Sequence, residues 1–529
     1  MKGTRRQPTV LKGMQNTGHR FCVIFSPLQP QKWTASIKAL YLSLSQISSV
    51  DMNTRFLTLI SFMALTLGKL QAADPAYSIQ VSISGFSQKE MYLGYYLGDK
   101  QYLRDTAVAD AKGVYTFEGT ELLPAGVYIV VLPPDNNFFQ ILIPEKEQKF
   151  SIQTSLDNMS ENVVFKGSTE NTTFYKYLSF LSLKNKEADP INKAIEEAKD
   201  ETAKAELRKK LEAIGEDVKS YQAKFVKENG NMLASRIVAA NLSAELPEFQ
   251  GTDDEKQVKM LYFLRSHYFD YFNLADPSLL RTPFFFEKID YYVNKLHYQH
   301  PDSLAVAIDT VLERLRPAEE SFRFYLVHFL NAYAKSNFVG MDAVYVHIAE
   351  KYYAAGDAPW IETEQLNKII ENAKSLKPIL IGKTAPDIEM QKRDGSKIKL
   401  SAVKSPYTIL YFWRYDCGHC KEQTPIVKEF YEKFKDKGVK IFAVCVKFRD
   451  EIADCWKYID ENGIGDWIHT VDPYLASRYY TLYNVKTTPQ VFILDANKKI
   501  LSKNISGEQL ESVLNQIMEM DKAEKAGKQ

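Results

Sequence analysis

Cys417 and Cys420 are separated by two residues, Gly418 and His419, in the stretch YFWRYDCGHCKEQTP, residues 411–425. Thiols at this spacing can exchange a disulfide, supply half of a metal site or form a plain crosslink. A Cys-X-X-Cys crosslink closes a very short loop and stabilises little. A zinc site needs four ligands, usually from paired motifs. No second Cys-X-X-Cys exists, and Cys445, Cys455 and His469 lack ligand spacing. Redox exchange is therefore the favoured chemistry, with no metal and no cofactor expected.

The elements around the pair strengthen this reading. YTILYFW (407–413) has the composition of a buried strand, and the residues from Thr424 to Lys435 have helical character. Cys417 thus follows a strand and opens a helix. A helix N-terminus carries partial positive charge and unpaired N–H groups, which favour a thiolate. Pro425 is expected to kink the helix. Further on, KIFAVCV (440–446) reads as a strand, and 450–462 and 473–483 read as helices. VFILD (491–495) and KKILS form a hairpin, and 508–520 is a final helix. This is an α/β layout with mixed strand directions, and a Cys-X-X-Cys at its strand-to-helix corner reads as a thioredoxin-like redox site.

Residues 378–520 resemble the thioredoxin-like domain of TlpA/ResA-type thiol-disulfide oxidoreductases, related to the AhpC/TSA superfamily. The resemblance rests on Gly382-Lys-Thr-Ala-Pro386, Phe412-Trp413, Cys417-Gly418-His419-Cys420, Pro425 and Thr488-Pro489. It implies that Cys417 is the nucleophile and Cys420 the resolving thiol, the two forming a redox disulfide. It also implies that Pro489 is a cis-proline presenting the Thr488 backbone to an extended substrate, with Trp413 and Pro425 in support. The whole chain is similar to Gram-negative bacterial proteins that precede such a domain with a β domain and a helical domain of unknown function. A peroxiredoxin is excluded because Arg414 occupies its threonine position.

Three residues depart from the reductant pattern. Gln423 stands where many ResA-like proteins carry a buried Glu that moves the resolving thiol's proton, and Tyr411 replaces the buried Asp of thioredoxin. Asp416 replaces a Trp; it suits a helix N-cap, yet places a negative charge beside a thiolate. His419 replaces the proline of thioredoxin, as in protein disulfide isomerase, and is expected to stabilise the Cys417 thiolate. The potential should then lie on the oxidising side of thioredoxin, towards about −180 mV rather than about −270 mV.

The remaining chain supplies the context. Residues 74–168 alternate short β-rich runs with turns and are expected to form an antiparallel β sandwich. Residues 169–376 are helical, with aromatic stripes that read as core, and residues 377–523 form the redox domain before a tail at 524–529. The fold class is multidomain α+β. His267, His297, His300, His328 and His347 lack metal-ligand spacing. With 67 basic and 66 acidic residues, no global field draws the chain to nucleic acid or an anionic membrane. From Met52, a basic residue, an apolar run and a Leu-Gln-Ala site resemble a secretory signal over 52–73, so 1–51 read as a spurious upstream extension. The mature chain should then be periplasmic or secreted, of Gram-negative type, without a stable membrane span. Cys22 would be lost and four cysteines would remain. Cys445 and Cys455 read either as a buried small hydrophobe and a helix-face thiol, or as a second disulfide. Expected partners are protein thiols and disulfides and a redox partner protein. The rival reading is a binding or scaffold protein whose first two domains hold a partner.

Overall fold

The computed structural model describes residues 74–527; the expected signal segment, 52–73, and the expected upstream extension, 1–51, fall outside the described residues. The chain divides into two compact units after Tyr292, inside the stretch expected as one helical domain.

In the first unit, eight strands come first: β1 (Tyr77–Ser84), β2 (Glu90–Leu97), β3 (Lys100–Val108), β4 (Tyr115–Gly119), β5 (Gly126–Leu132), β6 (Asn137–Ile143), β7 (Lys149–Ser155) and β8 (Val164–Lys166). They form two four-stranded sheets, ordered β4-β1-β7-β8 and β3-β2-β5-β6. Strict alternation in YSIQVSIS turns Tyr77, Ile79, Val81 and Ile83 inward. There they share one core with Leu93, Val130 and Ile141 of the other sheet, which makes a sandwich. The sandwich is not wholly antiparallel, because β1 and β7 pair in parallel. β5 is buried along its whole length because the segment Pro277–Arg281 covers its other face.

The helices α1 (Thr169–Glu197), α2 (Glu201–Asn229), α3 (Leu233–Ala239), α4 (Asp253–His267) and α5 (Phe285–Asn294) follow. The α1 start is fixed by Ser168, whose hydroxyl accepts from the Asn171 N–H. Buried Asn171 then pairs both ways with the Leu142 backbone, locking α1 to β6. The Glu170 carboxylate accepts from the N–H groups of Leu233 and Ala234, satisfying the exposed donors at the start of α3.

The second unit contains α6 (Pro301–Leu315), α7 (Glu319–Ala334), α8 (Asp342–Ile348), which continues as a π turn over Ala349–Tyr353, and α9 (Thr363–Leu376). The redox region follows: β9 (Glu389–Gln391), β10 (Lys397–Lys399), β11 (Tyr407–Trp413), α10 (Gly418–Phe434), β12 (Val439–Cys445), α11 (Ile452–Asn462), β13 (Ile468–Val471), α12 (Tyr479–Leu482), β14 (Gln490–Leu494), β15 (Ile500–Lys503) and α13 (Gly507–Gly527). The sheet order is β10-β9-β13-β12-β11-β14-β15, with β12 parallel and β14 antiparallel to β11. Alternate residues of β11 feed two cores. Ile409, Tyr411 and Trp413 face α10, α11 and α13, while Leu410 and Phe412 face the α12 side. This is the thioredoxin-like α/β arrangement.

One local expectation changes. The helix expected over 473–483 shrinks to α12, because the Asp472 carboxylate accepts from the N–H groups of Ala476 and Ser477 and holds that segment as a turn. Pro425 lies inside α10, which runs from Gly418 to Phe434.

Candidate redox site

The C-terminal end of β11 delivers Cys417 to the first turn of α10. Cys417 itself is the N-cap: its backbone is extended, and its Sγ accepts from the Cys420 N–H at 3.3 Å. Asp416, expected as a possible cap, does not fill that role. Cys417 is partly exposed, whereas Cys420 is buried at 1%. Both are free thiols. Gly418 occupies the first helical position on the exposed side.

The Thr488–Pro489 peptide is cis, and the Thr488 carbonyl accepts from the Cys417 Sγ at 3.3 Å. The two segments joined by the resemblance are therefore in contact. Trp413 is fully buried behind the pair, with its ring 5.4 Å from Tyr458 and 6.2 Å from His469.

The two thiols are electrostatically distinct. Burial opposes ionisation of Cys417, but hydrogen bonds from the Cys420 thiol and N–H and from the Thr488 side chain, with the Arg414 charge, outweigh it, so this thiol lies below its ordinary value. Burial pushes Cys420 well above it, and its bond to Cys417 adds to the rise. An acidic, accessible thiol beside a buried, weakly acidic one is the arrangement that sequential thiol exchange uses.

The three departures are placed as follows. Gln423 is turned to α13, where its Nε2 donates to Glu508 at 2.9 Å and its Oε1 accepts from the Gly507 N–H. It thus ties two helices together. Thr424, next along the helix, is buried and donates to the Cys420 carbonyl at 2.8 Å. His419 is 84% exposed, with Nδ1 at 3.3 Å from Glu422. Asp416 meets Arg414 at 3.4 Å and Lys447 at 2.9 Å. Burial raises its proton affinity, but Lys447 and Arg414 overcome this and hold the carboxyl below the usual range.

Lys447 had no signal in the sequence beyond its position just past the end of β12. Cys445 and Cys455, left open between free thiols and a bridge, form a disulfide from the last residue of β12 to α11. That removes both as metal ligands. Cys445 pairs in register with Trp413, so the second bridge lies one strand away from the first cysteine pair.

Residues 381–503 match the AhpC/TSA family. Residues 77–174 and 196–377 match two domains of unknown function, DUF4369 and DUF5106. Over 140 residues the chain is 31% identical to a thiol-disulfide oxidoreductase ResA of Bacillus cereus, covering 26% of this chain and 78% of that relative. A ResA of Bacillus thuringiensis is 29% identical with the same coverage. A solved domain of a possible thiol-disulfide isomerase from Cytophaga hutchinsonii is 33% identical; the match covers 27% of this chain and 97% of that domain, with a TM-score of 0.26. The chain belongs to the ResA-like thiol-disulfide oxidoreductases of the AhpC/TSA family and is an oxidoreductase enzyme.

Proposed function

We propose that the enzyme exchanges disulfides with exported protein substrates through Cys417 and Cys420. The supporting observation is the contrast between the two thiols, with the accessible one seated at a helix N-terminus against the Thr488 carbonyl. The Cys417 thiolate attacks one sulfur of a substrate disulfide. The substrate S–S bond breaks, a mixed disulfide forms and one substrate thiolate leaves. Cys420 then loses its proton and attacks the Cys417 sulfur, so the Cys417–Cys420 bond forms and the second substrate thiolate leaves. Two electrons pass from enzyme to substrate, and the reverse sequence oxidises a dithiol. The Thr488 backbone pairs with the substrate as an added strand would.

Export is supported by the signal-like segment from Met52 and by the Cys445–Cys455 bridge, which suits an oxidising compartment. Cys420→Ala leaves Cys417 without its resolver, so mixed disulfides with client proteins should accumulate and disappear on reduction. Absence of such adducts, together with undiminished activity in Cys417→Ala, would overturn the assignment. N-terminal sequencing should find a mature start near Ala73 or Asp74; a mature chain retaining Lys2 would rule out export from Met52.

A further inference from the structure

Asp416 is the residue immediately before the proposed nucleophile in the chain, and Lys447 answers its carboxylate from another part of the chain. The Lys447 side chain is only 11% exposed, lies 2.9 Å from Asp416 Oδ2, pairs also with Glu451 and sits 5.2 Å from the Tyr415 ring centre. Lys447 is two residues past Cys445, and Glu451 is four residues before Cys455. The Cys445–Cys455 bridge therefore closes a loop that contains both Lys447 and its second partner. Both bridge cysteines are buried, at 1% and 0%, and the loop is also pinned where the Val446 N–H donates to the Trp413 carbonyl at 2.9 Å.

We propose that Lys447 is a positioning residue that cancels the Asp416 charge beside Cys417, and that the Cys445–Cys455 disulfide holds it in place. The inference rests on the assignment of Cys417 as nucleophile. The charged and titratable groups on the segments that meet here are Arg414, Tyr415 and Asp416 before the thiol, His419 and Glu422 on α10, and Lys447 and Glu451 on the braced loop, with Tyr411, Cys420 and Tyr458 on the buried side. His419 and Glu422 pair with each other in solvent, and Arg414 is the looser of the two Asp416 partners. Lys447 is thus the closer and better-buried counter-charge. No redox change of the second bridge is invoked; it acts as a brace.

The test is the pH dependence of Cys417 alkylation in the full-length enzyme with the Cys417–Cys420 pair reduced and the buried Cys445–Cys455 bridge kept intact, with the modified residue and the bridge identified by mass spectrometry. An uncompensated charge in a half-solvated setting should shift the proton equilibrium, so Lys447→Met should slow alkylation near pH 7 by about three- to tenfold and raise the pH midpoint. Lys447→Arg should restore the profile, and Asp416→Asn with Lys447→Met should return the rate to within about twofold of the parent. Replacing both bridge cysteines by serine should slow alkylation in the same direction and add less than about twofold on top of Lys447→Met. A Lys447→Met profile superimposable on the parent overturns the proposal, and a bridge-free profile superimposable on the parent overturns the bracing role. Cys417→Ala separates the two layers. If fast alkylation survives that change, the nucleophile assignment fails; if it is abolished while Lys447→Met has no effect, only this inference fails.

Discussion

His469 should make the redox domain acid-sensitive well above the range in which carboxylates titrate. It lies on β13, with its ring stacked 5.5 Å from Trp467. Its Nε2 donates to the Ile464 carbonyl at 2.7 Å, and its buried Nδ1 has no protein hydrogen-bond partner. A proton added at Nδ1 would therefore be a buried, unanswered charge. Burial lowers the pKa from 6.5 to about 4, with the Ile464 bond opposing only part of the shift. Between those values the unfolded chain binds a proton that the folded chain refuses, so stability falls as pH drops from about 6.5 to about 4. At about 1.4 kcal/mol per unit, the loss is about 3 kcal/mol. His469→Gln retains a donor for Ile464 but cannot titrate. Urea unfolding followed by tryptophan fluorescence suits the question, because Trp360, Trp413, Trp456 and Trp467 all lie in the second unit. The parent should lose about 2–3 kcal/mol between pH 7 and 4.5 that the variant does not lose. Depressed carboxylates such as Asp309 lose their contribution only as pH falls below their unfolded value of 3.8, and they cancel in the comparison. Parallel pH profiles for parent and variant would refute the reasoning.

Two further perturbations address the frame that holds the site. The Lys503 ammonium, 2% exposed, is answered by Asp342 and by the Ile379 carbonyl; Asp342→Ala should cost about 3 kcal/mol in the second unit's urea transition, whereas Lys503→Met should cost less than half as much because no buried charge is left behind. Gly126→Ala would place a methyl carbon 2.4 Å from Arg281 Cβ and 3.0 Å from its carbonyl oxygen, so it should destabilise the first unit by about 2–4 kcal/mol in calorimetry, where Gly113→Ala, which faces open space, should cost clearly less.

The fold was legible wherever one-dimensional pattern dictates local structure. Alternation in YSIQVSIS and the apolar run of YTILYFW identify strands because each strand has a core on one or both faces. Alternation does not name a strand's partner, so the parallel pairing of β1 with β7 was invisible. The division at residue 292 was equally hidden. A helical period looks the same whichever neighbour it packs on, and Asp342 of α8 answers Lys503 of β15, which no local pattern records. The overlong helix at 473–483 shows the opposite failure, in which one side chain, Asp472, overrides the propensity of the residues after it.

At the redox site, residue types were legible but the charge balance was not. His419 and Asp416 each seemed decisive because each adjoins a cysteine in sequence. In a helix, one position along the chain turns a side chain by about 100 degrees, so adjacency in sequence is a poor guide to adjacency of charge. His419 is turned to Glu422 and solvent, which withdraws the geometric support for an oxidising potential argued from that ring. Asp416, next to Cys417 in the chain, is met by Lys447, delivered by a different strand and loop. What favours the Cys417 thiolate is instead the Cys420 thiol and N–H, the Thr488 side chain and Arg414. The acidity of this cysteine is thus a property of three converging segments, and a change in any one of them should move it without touching the Cys-Gly-His-Cys sequence.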